Sequence, residues 1–162
     1  MKWAVRLLVL AGLIAAGYWA WTVAFPNPGR EVRRRLERLA RLASFPANEG
    51  QLTKLASVQK FGGFFSDQVV VNLHVSGEEP HVFNNRDELV QALQAARMGL
   101  TSVQAMFTGP NIEITPGKQE AIIGVILTAD VNGEKDSVVV DLKINMKKID
   151  GDWVITHVES VQ

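Results

Sequence analysis

"DLKINMKKIDGDWVITHVESVQ", residues Asp141–Gln162, is the stretch on which the fold turns. Leu142, Ile144 and Met146 alternate with Asp141, Lys143, Asn145 and Lys147, the two-residue period of a strand with one apolar face. Asp150-Gly151 then supplies the residue pair that tolerates positive φ at a tight hairpin turn. A second strand, "DWVITHVESV", comes after it. A lone hairpin is marginal in water, so its apolar face must meet other parts of the chain.

Reading back toward the N-terminus, "QEAIIGVILTADV" is a further strand, ended by a second hairpin signal at Asn132-Gly133. Its Ala121, Ile123, Val125, Leu127 and Ala129 match Val138, Val140, Leu142, Ile144 and Met146 as an apolar, helix-facing side. "TSVQAMFTGPNIEIT" is a long strand that Gly109-Pro110 bends or bulges. "NNRDELVQALQAARMGL" is the clearest helix: Asn85 caps it, Glu88 completes a capping box, and Leu89, Ala92, Leu93, Ala96 and Leu100 form its apolar stripe. Before it come a short extended piece at His81-Val82-Phe83 and the strand "DQVVVNLHV". In that strand Val69, Val71, Leu73 and Val75 oppose Gln68, Val70, Asn72 and His74. Asn27-Pro28 starts a helix whose stripe is Val32, Leu36, Leu39, Ala40 and Ala43. After Pro46, Asn48 opens a second helix with Leu52, Leu55 and Ala56 on its apolar side, and Gly62-Gly63 ends it. Helices first and an antiparallel meander last make the class α+β.

The N-terminus has another character. Lys2 and Arg6 precede an uncharged run from Leu7 to Phe25, which at about 1.5 Å per residue spans roughly 28 Å. Trp3 at one end and Tyr18, Trp19 and Trp21 at the other suit the two membrane interfaces, and Pro26 and Pro28 stop the helix. Residues 1–29 therefore read as a single-pass membrane anchor. The alternative is a signal segment cleaved near Gly17 or Ala24. The basic start favours export of the chain beyond the apolar run, whereas Arg30, Arg33, Arg34, Arg35, Arg38 and Arg41 after the span favour retention on the cytoplasmic side. An extracytoplasmic (periplasmic) domain is expected, with Glu31 and Glu37 engaging Arg35 and Arg41 at i+4; the cytoplasmic orientation is the alternative. The six arginines form either a solvated helix face or a contact for anionic lipid headgroups.

Acidic and basic residues balance at 17 each, so no overall field draws the chain to nucleic acid. The absence of cysteine excludes disulfides, thiolate catalysis and Cys-zinc sites. Three scattered histidines offer no metal-ligand spacing, and no cofactor motif is present.

Two leading helices, the strand "VVVNLHV", the helix "RDELVQALQAAR" and the closing "KKIDGDWVITHVES" together resemble the nuclear transport factor 2-like (NTF2-like) superfamily, also called SnoaL-like or cystatin-like. The resemblance covers about Glu31 to Gln162, and the domain is set at residues 30–162. It implies N-terminal helices packed into a strongly curved antiparallel sheet, a cone with a pocket at its open end. Members include isomerases, dehydratases, cyclases, secretion-system assembly proteins and non-catalytic modules, so the fold does not choose a reaction. Isomerases of the superfamily use an acidic base with a Tyr or a protonated acid as oxyanion donor. Here the only Tyr is Tyr18, and no Asp or Glu falls on the apolar parity of the central strands.

His157 shares parity with Trp153, Ile155 and Glu159, which places Trp153, Ile155 and His157 at the pocket. A His157 base oriented by Glu159 would suit an isomerase, dehydratase or hydrolase acting on a small apolar molecule. The favoured reading is a membrane-tethered, non-catalytic ligand-binding or assembly module, with His157 as wall. On the outer sheet face Ile122, Ile126, Val139, Val154 and Val158 interrupt the polar pattern, a surface for a homodimer or a membrane-complex partner. A tethered, greasy pocket also suits a small apolar ligand such as a lipid.

Overall fold

Asp150 and Gly151 adopt φ of 51° and 86°, and through them β-strand Val138–Ile149 turns directly into β-strand Asp152–Ser160, pairing Ile149 with Asp152. The computed structural model describes residues 14–15, 27–75, 79–133 and 137–161. In chain order the elements are α1 (Pro28–Ala43), α2 (Gln51–Gly62), β1 (Phe65–Leu73), β2 (His81–Phe83), α3 (Arg86–Gly99), β3 (Val103–Ile114), β4 (Glu120–Val131), β5 (Val138–Ile149) and β6 (Asp152–Ser160). The six strands form one sheet in the order β2-β1-β6-β5-β4-β3. The sheet is mixed, not wholly antiparallel: β1 and β6 run parallel, because the helices and the hairpins return the chain to the flank of its own first long strand. Among the described residues the α+β architecture, a curved six-stranded sheet with helices α1, α2 and α3, is otherwise as expected. Among the described residues no helix is long and apolar enough to cross a membrane; the Leu7–Phe25 run lies outside them apart from Ile14 and Ala15.

The helix ends follow local chemistry. Asn27 Oδ1 accepts from the Gly29 amide with Pro28 in the first turn, and Asn85 Oδ1 accepts from the Glu88 amide at 2.9 Å while Glu88 returns a carboxylate to the Asn84 amide at 2.7 Å. Val32, Leu36, Leu39 and Ala40 of α1 are buried on the sheet. Helix α2 departs from the expectation twice. It begins at Gln51 on Gly50, with no side-chain cap, not at Asn48. Its Leu52, Leu55 and Ala56 are exposed, and Val58 and Gly62 face inward instead. The helix docks by its C-terminal end, where a Cβ on Gly62 would stand 3.1 Å from Val90 of α3. Neither expected i+4 pair of α1 forms either. Glu31 turns toward Trp153 and Lys148, and among the described residues Glu37 makes no ion pair with Arg41.

Two bulges set the parity of the antiparallel strands, and a third register shift lies between Phe65 and Val70 in the parallel β1–β6 pair. Gly109, at φ 61°, accommodates one extra residue on β3 between Thr108 and Asn111, so that Phe107 and Ile112 can both face the helices, paired with Leu127 and Ile123. A second extra residue sits on β6: Met146 pairs with Ile155 but Asn145 pairs with His157, leaving Thr156 over, its hydroxyl donating to the Asn145 carbonyl at 3.3 Å.

Candidate functional site

On the concave side Val32, Val69, Ile123, Ile144, Met146 and Ile155 are fully enclosed, with Leu36 and Trp153 packed beside them. Their source is the strict alternation of β4 and β5 against the stripe of α1. Toward the β4–β5 hairpin the sheet runs beyond the helices, so Leu127 and Val140 are only half-buried and Val138 is exposed. Trp153 is fixed by polar contacts as well as packing. Its Nε1 donates to Glu31 Oε2 at 3.0 Å, and Lys148 Nζ meets the same oxygen at 3.2 Å.

The Thr156 bulge corrects the assignment of His157. Trp153 and Ile155 face inward as expected, but the extra residue reverses the alternation beyond them. Val158 becomes a core residue opposite Ile144, and His157 and Glu159 move to the convex face beside Asn145 and Lys143. His157 is therefore not a pocket residue. His157 Nε2 lies 3.6 Å from Glu159 Oε2, and Lys143 Nζ holds the other oxygen of that carboxylate at 3.1 Å. This hydrogen-bonded ammonium holds Glu159 below the usual carboxylate range, and His157 pulls the same way more weakly. Among the described residues no three His, Asp or Glu side chains gather as a metal site. His74 is exposed as expected, its backbone amide donating to Ser160 Oγ at 2.9 Å.

The bulge also redraws the partner surface. Val158 leaves it for the core and Val154 is half-buried, while Ile122 (42% exposed), Ile126 (39%) and Val139 (62%) remain. Met106 (56%) joins them, since it pairs with Thr128, which pairs in turn with Val139. Sequence parity contained that signal: Met106 alternates with Ala105 and Phe107 and so faces outward with Gln104 and Thr108. Gly124 lies between Ile122 and Ile126 on the same strand face, and a Cβ there would meet nothing within 4 Å. The strip is thus apolar and locally flat. Paired charges border it, Lys143 with Glu159 and Lys147 with Glu120.

The six arginines of α1 divide among several surroundings. Arg33 and Arg41 line an open groove of about 500 Å³ between α1 and β3 with Gln104, Met106 and Pro110. Arg34 lines a groove with Glu31, Asp152 and Trp153, and Arg30 is exposed. Arg35, Arg38 and Arg41 share a groove of about 430 Å³ with Lys60, Gly63 and Phe64 of the α2 end. Arg35 is anchored there: one Nη donates to the Gly63 carbonyl at 2.8 Å, and the guanidinium lies 4.1 Å over the Phe64 ring. Burial lowers its pKa, with Asp152 opposing and Arg38 adding to the effect.

One polar site contains none of the candidate site residues read from the sequence. Arg97, 3% exposed, pairs with Glu49 and donates to the Leu42 carbonyl at 2.5 Å, its guanidinium 4.9 Å over Phe45. It joins the loop after α1 to α3. Leu89, Leu93 and Arg97 recur at intervals of four, so a cation on the apolar stripe is the one signal that could have found it.

No family model and no curated protein matches the chain. Solved structures do match in fold. A protein of unknown function with a cystatin-like fold from Nostoc punctiforme aligns at TM-score 0.60 and 13% identity, over 82% of this chain and 88% of its own. A candidate scytalone dehydratase from Novosphingobium aromaticivorans aligns at 0.59 and 12%, over 82% and 83%. An NTF2-like protein of unknown function from Pseudomonas putida aligns at 0.60 and 10%, over 81% and 83%. At such identities the likeness speaks for architecture alone: the chain carries the NTF2-like, cystatin-like α+β fold.

Proposed function

We propose that this NTF2-like domain is a non-catalytic assembly module, held at a membrane by the Leu7–Phe25 run on the extracytoplasmic side, and that it dimerises through the convex face of its sheet. The reading rests above all on the exposed Met106–Ile126–Val139 strip with Ile122 beside it. Four strands at about 4.8 Å spacing and roughly 3.3 Å per residue give a face of about 20 by 40 Å, near the ~800 Å² per partner of a stable interface. Gly124 lets a second sheet approach closely, and the bordering ion pairs contain both signs, which a two-fold axis can make self-complementary. The packed concave side supports binding on the outside of the cone over chemistry within it.

Native mass spectrometry of the detergent-extracted full-length chain tests this. A dimer is expected, and I126D/V139D should be monomeric with the far-ultraviolet circular dichroism spectrum of the wild type. A monomeric wild type across the micromolar range, or a double variant that stays dimeric, overturns the interface. A stoichiometric small molecule in the same spectrum would replace assembly with a ligand-binding or enzymatic role.

A further inference from the structure

We infer that the groove between α1 and the end of α2 is an anion site for a phosphate group, built from Arg35, Arg38, Arg41 and Lys60. This stands apart from the convex-face assembly and shares no residue with it. Three observations carry it. First, four cations from two helices line one concavity, and no carboxylate lines it. Among the described residues no acidic side chain stands within ion-pair distance of Arg38, Arg41 or Lys60. Lys143, Lys147, Lys148, Arg86 and Arg97 each have an acidic partner; Arg30, Arg33, Arg34, Lys54 and Lys118 have none within ion-pair distance among the described residues, but none of them lines this groove. Second, Arg35 is immobilised by Gly63 and Phe64, so part of the site is ordered before any ligand arrives. Its Nε is buried without a hydrogen-bond partner. Third, Arg38 acts on Arg35 as a like charge; Asp152 opposes this, and an anion bound between the two guanidinium groups would add to that opposition. Planar guanidinium forks with an ammonium opposite suit the tetrahedral oxygens of a phosphate better than a single carboxylate.

The phosphate can belong to an anionic lipid headgroup or to a free phosphorylated molecule, and one titration separates them. The full-length chain in neutral detergent is titrated calorimetrically with inorganic pyrophosphate and, separately, with dihexanoyl phosphatidylglycerol; dihexanoyl phosphatidylcholine, zwitterionic with no net charge, serves as the reference. R38A/K60A should weaken binding at least tenfold. R30A/R33A, which removes two charges from the same helix outside the groove, should change it by less than about threefold. Arg38 and Lys60 are exposed, so the melting temperatures of both variants should match the wild type. Binding of the lipid alone assigns the headgroup; equal binding of pyrophosphate assigns a soluble phosphate. Equal losses in the two double variants, or no binding of either probe at millimolar concentration, overturns the site.

Discussion

Replacing Arg97 with methionine should be the most damaging single change on the helical side of the domain. Arg97 and Glu49 are both almost wholly enclosed, so deletion of the cation leaves a carboxylate in the protein interior. Breaking such a pair from one side costs about 3–5 kcal/mol. The Leu42 carbonyl loses its charged donor at the same time, and Phe45 its cation. With a urea dependence of about 2 kcal/mol per molar, the unfolding midpoint should fall by roughly 1.5–2.5 M. The informative partner is E49L/R97M, which removes both charges and refills the space with carbon. That variant should recover most of the loss, since apolar replacements of whole buried pairs are often neutral or better. Urea titration followed by circular dichroism at constant pH and salt measures all three proteins. A midpoint shift under about 0.5 M for R97M, or a double variant as unstable as the single, would refute a buried pair joining Glu49 to α3.

E31A removes the acceptor of the Trp153 indole and should destabilise by about 1–2 kcal/mol, less than a fully buried loss because Glu31 is partly solvated; E31Q keeps an acceptor and should retain most of the stability, with the Trp153 indole proton resonance unmoved. Glu159 offers a titration test, because its pKa lies below the usual carboxylate value in the folded protein. Its contribution is thus complete above the unfolded-state pKa and lost as pH falls through the folded value. K143M should raise the Glu159 pKa toward that of an ordinary glutamate, read from its side-chain carboxyl carbon by NMR; an unchanged value would remove Lys143 as the cause.

Most of the fold was legible because its signals are local and redundant. Asn85 with Glu88, Asn27 with Pro28, and Asp150-Gly151 each specify a cap or a turn within four residues, and the structure forms all three. The alternation of β4 and β5 likewise placed Ile123, Ile144 and Met146 in the core. What failed was arithmetic carried across a defect. Gly109-Pro110 announces its bulge, whereas Thr156 is an ordinary strand residue, and nothing in "WVITHVES" marks the place where the count slips by one. That single residue moved His157 out of the supposed pocket and Val158 into the core. The stripe of α2 failed for a different reason: a short helix that docks by one end need not bury its most apolar side, and Gly62 mattered through the side chain it lacks. Non-local ionic contacts, Glu31 with Trp153 and Glu49 with Arg97, have no sequence period to reveal them.

The parallel pairing of β1 with β6 also bears on how this protein is made. Phe65 meets Ile155 across about 90 intervening positions, and until β6 has been synthesised β1 has only the three-residue β2 beside it. The β3–β4–β5 meander can form early from neighbouring segments, but the sheet cannot close around the helices before the closing strand leaves the ribosome. A chain stalled or cut within Asp152–Ser160 therefore loses more than an edge: it leaves Phe65, Val69 and Val71 uncovered and open to association with other nascent chains.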